Sequence, residues 1–175
     1  MNIKRSIVCL VLSTGLAGAR ADVLQDATAA MHRKDYATAA RLLEPLARGG
    51  DALAQVRLGI LYYHGHGVRE SDRTASLWFQ RAADQGLAEA QFHLANMYAY
   101  GLAPAPEGED PQRLAARWYF EAARQGHAEA QYSLGVLFLT GSGVTLSADE
   151  ARKWMGRAAA QGHADAQLYM QGLPK

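Results

Sequence analysis

Histidine, serine and cysteine are the residue types through which this chain could do chemistry, and their spacing argues against each. His64 and His66 flank Gly65. Two imidazoles fall short of the three or four ligands a zinc site uses, and no carboxylate stands at a fitting spacing. They read as solvated turn residues, with no metal and no cofactor expected. Ser142 sits between Gly141 and Gly143, but the G-x-S-x-G nucleophile elbow is missing. So are H-E-x-x-H, the phosphate-binding P-loop and the dinucleotide glycine fingerprint. The one cysteine, Cys9, lies near the start of the chain. No catalytic residues are expected.

The elements that must position any site are set by a repeat. Ala52-Leu53-Ala54-Gln55, Ala88-Glu89-Ala90-Gln91, Ala128-Glu129-Ala130-Gln131 and Ala164-Asp165-Ala166-Gln167 open successive copies. Their glutamines are 36, 40 and 36 residues apart, and Trp78, Trp118 and Trp154 each fall 13 residues before the next one. Self-similarity at this period is the mark of a solenoid built from helix pairs. The fold class is therefore all-α.

Composition agrees. The chain has 175 residues, 49% hydrophobic and 20% charged, with a formal net charge of +1; this is a folded body rather than a disordered one. Residues 1–21 read as a secretory signal peptide. Lys4 and Arg5 are its basic start, Ile7 to Leu16 its apolar stretch, and Ala19-Arg20-Ala21 its small-x-small end, with cleavage before Asp22. An apolar run of about ten residues is half what a membrane span needs, so no span is expected in the mature chain. Losing Lys4, Arg5 and Arg20 from 18 basic residues leaves 15 against 17 acidic ones, a net of −2. A mildly acidic protein carries no electrostatic footprint for nucleic acid. The expected location is the periplasm or the medium, and the mature chain, free of cysteine, must hold by packing alone.

Residues 22–50 read as a capping helix pair that lacks the repeat's motifs. Leu24, Ala27 and Met31 recur at helical spacing, Asp35 caps a second helix, and Gly49-Gly50 ends it. The repeats then occupy 51–87, 88–127 and 128–163, with 164–175 a partial closing repeat. Each repeat splits into a helix A, near Ala52 to Tyr63 in the first copy, and a helix B, near Asp72 to Gln85. Asp72 and Ser147 are the expected N-caps, and Gly86, Gly126 and Gly162 the closing residues. A small residue recurs mid-helix A at Gly59, Ala95 and Gly135. Glycine there costs up to about 1 kcal/mol against alanine, which implies close approach by helix B. The tryptophans, flanked by recurring alanines, should be core. The second copy carries four extra residues within Gly101 to Pro111, whose prolines and acids make it a longer loop.

The pattern A-x-A-Q-x-x-L-G-x-x-Y-x-x-G-x-G-V, A-x-x-W-aromatic, A-A-x-Q-G, matched in the first copy from Ala52 to Gly86, resembles the Sel1-like repeat, a relative of the tetratricopeptide repeat. Ala95, Phe138 and Met155 depart from it, and the second copy's turn lacks G-x-G-V. The resemblance covers Asp51 to about Gln171. It implies a right-handed α-solenoid of stacked antiparallel helix pairs, acting as a non-catalytic adaptor or scaffold for a protein or peptide, and a monomer is expected. Two alternatives stay open. One is a scaffold in envelope polysaccharide assembly. The other is a hydrolase of β-lactams or peptidoglycan, ascribed to a branch with a cysteine pair in every repeat, which this chain does not match.

In tetratricopeptide relatives one stripe of helix A lines the binding groove. Here it holds Leu53, Val56, Ile60 and Tyr63, then Glu89, Phe92, Asn96 and Ala99, then Glu129, Tyr132, Val136 and Leu139, with Tyr100 adjoining. Large apolar side chains off the repeated framework suit a peptide or helix partner. For Val56, Ile60 and their equivalents, packing between neighbouring A helices is an equal alternative.

Overall fold

The structure is a computed structural model that describes residues 20–172. The expected leader, apart from Arg20 and Ala21, lies outside the described residues. Among the described residues there are nine helices and no strand: α1 over 20–32, α2 Tyr36–Arg48, α3 Ala52–His64, α4 Asp72–Asp84, α5 Ala88–Ala99, α6 Pro111–Arg124, α7 Ala128–Thr140, α8 Ala148–Ala160 and α9 Ala164–Gln171. From α2 to α9 each packs mainly against its neighbours in sequence, the contact pattern of a solenoid. Helix α1 runs through the expected cleavage point, and Arg20 Nε pairs with Asp51 Oδ2 at 2.5 Å.

The helix ends follow from local chemistry. Asp35, Asp51, Ser71, Asp110 and Ser147 each accept a backbone N–H with the side chain. Ser71, not Asp72, caps α4; Asp72 is its first helical residue, where a carboxylate faces the positive end of the helix dipole. Imidazole Nδ1 of His127 and of His163 does the same work for α7 and α9. Gly86, Gly126 and Gly162 follow the B helices with φ near +90°, a conformation costly for any side chain.

Leucines and alanines build the core. Leu58, Leu94 and Leu134 are buried on the A helices; Trp78, Trp118 and Trp154 are buried on the B helices. The mid-helix glycines are required by contact. A Cβ on Gly59 would stand 2.7 Å from the Phe79 ring, and one on Gly135 2.6 Å from Met155. The socket in helix A thus receives the residue after the tryptophan rather than the tryptophan itself. The long loop of the second copy is packed rather than loose: Ala103 is buried and Leu102 and Ala105 lie against the core.

A ladder of glutamines ties the copies together. Gln55, Gln91, Gln131 and Gln167 each donate from Nε2 to a carbonyl near the end of the preceding B-type helix, that of Ala47, Ala83, Ala123 and Ala159 respectively. The Oε1 atoms of Gln55, Gln91 and Gln131 accept at 2.8 Å from Gln85, Gln125 and Gln161. Each of these carbonyls also accepts the backbone N–H of the closing glycine three residues on, so the next copy's glutamine fills its second lone pair.

Candidate functional site: the A-helix face

The expected stripe divides into two rows. Val56 is fully buried and belongs to the core between copies. Its expected place among the groove contacts is corrected on that ground, since no partner can reach it. The equivalent rings are half-buried and stack on the histidine caps of the next A helix. Phe92 meets His127 at 4.7 Å, and Tyr132 meets His163 at 4.3 Å. Here the alternative of packing between neighbouring A helices prevails, because the N-cap of the next A helix supplies a flat partner. Ile60 and Val136 are half-buried and lean on the core.

The other row is open. Leu53, Tyr63, Tyr100 and Leu139 are exposed by 38, 38, 73 and 36%. Three of the expected residues come together. Tyr63 on α3, Asn96 on α5 and Tyr100 at the C-cap of α5 line one cavity of about 200 Å³ with Phe79, His93, Met97 and Leu102. Leu53, Tyr132, Val136 and Leu139 do not line it.

Sequence reasoning missed His93, Phe79 and Leu102 as wall residues. His93 occupies a position free of the repeat, matched by Arg57 and Ser133, and no periodicity points to it. Its ring lies on Phe79 at 4.8 Å and 14°. Burial, and to a lesser degree the neighbouring His127 and His64, push its pKa down to about 4, so at neutral pH it is an uncharged imidazole. Asn96 Oδ1 accepts from the Tyr119 hydroxyl at 2.5 Å. Burial raises that phenol well above its ordinary value.

The histidines first considered for chemistry have packing roles. His66 stacks on Tyr36 at 4.4 Å and 11°, and His64 stands 5.3 Å from His66. Among the described residues no group of three or more His, Cys, Asp or Glu side chains converges as a metal site. Ser142 Oγ pairs with Thr140 at 3.0 Å. No described helix is long and apolar enough to cross a membrane.

Comparison with known proteins agrees with this geometry. The Sel1 repeat model matches residues 52–87, 88–127 and 128–163. A Sel1 repeat protein from Oxalobacter formigenes is similar in structure, with a TM-score of 0.76 and 31% identity, over 85% of this chain and 58% of that one. A protective antigen of uropathogenic Escherichia coli with an SLR fold gives 0.79 and 30%, over 89% of this chain and 34% of its own. Protein sel-1 homolog 2 is 39% identical in Rattus norvegicus and 37% in Homo sapiens, over 70 residues. Those residues are 39% of this chain and 10% of each of those proteins. With three matched copies spanning most of the described chain, stacked as the glutamine ladder requires, the protein belongs to the Sel1 repeat family.

Proposed function

We propose that this protein is an exported, non-catalytic adaptor that binds a peptide or helix of a partner protein along the A-helix face. The observation that carries the reading is the open row of Leu53, Tyr63, Tyr100 and Leu139, large apolar side chains the fold does not need. Sel1 repeats serve in general as protein-interaction scaffolds, and the short apolar leader supports export. A photo-reactive residue in place of Tyr63 or Leu139 should cross-link a discrete partner in envelope extracts. The same residue in place of Leu77, exposed on helix α4, should not. Equal labelling from both sides would refute the groove.

A further inference from the structure

We propose that the cavity between α3 and α5 is the anchor subsite of that groove, receiving one uncharged apolar side chain of a partner polypeptide while Asn96 and His93 pair with the polypeptide's backbone amides. The proposal rests on the groove reading above and goes further, naming the subsite and the chemistry of its occupant.

Size decides first. Sites for small molecules and cofactors run from about 300 to 1,000 Å³, and this cavity holds about 200 Å³. It suits a single side chain. Charge decides next. The lining contains no Asp, Glu, Lys or Arg, so an ionic side chain would lose its hydration with no opposite charge to offset it. Phe79 and Met97 supply an apolar floor, both nearly inaccessible.

The polar groups identify what carries the side chain. Tyr119 holds Oδ1 of Asn96, which fixes the amide and leaves its NH₂ without a hydrogen-bond partner among the described residues. His93 also makes no side-chain hydrogen bond among them, and its plane is set by stacking on Phe79. Because burial keeps the ring neutral down to about pH 4, it presents one donor and one acceptor. A peptide unit carries one N–H and one C=O that must be paired when buried. Asn96 and His93 together match that need without charge. Tyr63 on α3 and Tyr100 at the C-cap of α5 stand at the mouth of the cavity, exposed enough to contact an occupant.

The test uses the purified full chain and, as probe, a phage-displayed library of random peptides of about twelve residues. Enriched peptides should share one position filled by Leu, Ile, Met or Phe and never by a charged residue. Asn96→Asp keeps an acceptor for Tyr119 but replaces the free donor by a carboxylate oxygen. It should weaken an enriched peptide at least about tenfold. Tyr100→Ala, at a largely exposed residue, should weaken it about fivefold with circular dichroism and melting unchanged, which guards against a folding artefact in the first variant. Suppose instead that peptides are enriched but share a charged position, or resist both substitutions while Leu139→Ala abolishes binding. The anchor subsite is then overturned and the groove stands. No enrichment, or enriched peptides indifferent to every A-helix substitution, overturns both.

Discussion

Trp118 and Trp154 occupy the same repeat position and differ by one hydrogen bond. Trp154 Nε1 donates to Glu150 Oε2 at 3.1 Å, four residues back, whereas Leu114 stands there in the second copy and Trp118 Nε1 is buried without a partner among the described residues. Replacing each by phenylalanine should separate these cases. Trp154→Phe forfeits a bond worth about 1 kcal/mol, while Trp118→Phe removes an orphan donor whose burial costs about 1–3 kcal/mol. Urea melts should therefore show the larger loss at Trp154. Equal losses would mean that Trp118 finds an unseen partner. His93 gives a second residue-scale outcome. In the unfolded chain an ordinary histidine protonates as pH falls through about 6.5; in the folded protein burial delays this until about 4. Between those values the unfolded state binds more protons, so stability falls as pH falls and levels off below about 4. The expected loss is roughly 3 kcal/mol, a large share of a total of about 5–15 kcal/mol for such a domain. His127 is shifted the same way by its own burial. His93→Gln should flatten melting midpoints between pH 6.5 and 4.5, and an unchanged slope would place the titration elsewhere. Little of this was legible beforehand: Trp78, Trp118 and Trp154 announced themselves by period, but burial of His93 depends on Phe79 beneath it, a contact that no one-dimensional spacing reveals.

At the scale of the helix pair, the glutamine ladder explains why A-x-A-Q recurs. Buried Gln91 spends its Nε2 on the Ala83 carbonyl and its Oε1 on Gln125, joining two copies through one amide. Gln91→Ala takes one of the two hydrogen bonds from the buried Ala83 carbonyl, leaves the exposed Gln125 amide to water and empties a buried position, and should cost about 1–2 kcal/mol. Gln167 makes the first of these bonds but lies exposed on the last helix, with no glutamine donating to it. Gln167→Ala should cost well under half as much in the same urea melts, and parity between the two would mean that the ladder is not the source of the coupling. The sequence carried the spacing of these residues plainly, and with it the helix pairs, the caps at Ser147 and the close approach at Gly59. It did not carry their bonding, because a periodic glutamine reads equally as solvated or buried. The groove stripe failed for a related reason. Val56, Phe92 and Tyr132 lie on the A-helix stripe like Tyr63 and Leu139, yet His127 and His163, capping the next A helices, take up the faces of the two rings. Which row remains open depends on the neighbouring copy, so periodicity within one helix could not decide it.

Across the whole molecule, stability in a solenoid is nearly a sum of copies and the interfaces between them. The two ends are closed differently. At the start, α1 brings Ala27 and Ala30 onto the core shared with α2 and α3, and the Thr28 hydroxyl and Leu24 carbonyl accept from Arg57. At the other end of the described residues stands α9, an A helix. It buries Ala166 against Met155 and Ala158, with Tyr169 and Met170 partly covered, while Leu168, in register with Val56, Phe92 and Tyr132, is 66% exposed. The last interface is thus the thinnest, and opening should begin there. Amide exchange should rank α5 and α6 as most protected and α7 to α9 as least, since local opening follows the density of buried contacts. Deleting residues 164–175 should then raise exchange in α7 and α8 by uncovering Met155 and Tyr132, while α3 to α5 keep their protection. If instead the whole chain lost protection together, the copies would be coupled too tightly for a nearest-neighbour stack. Closure by α9 would then support the entire array rather than its last turn.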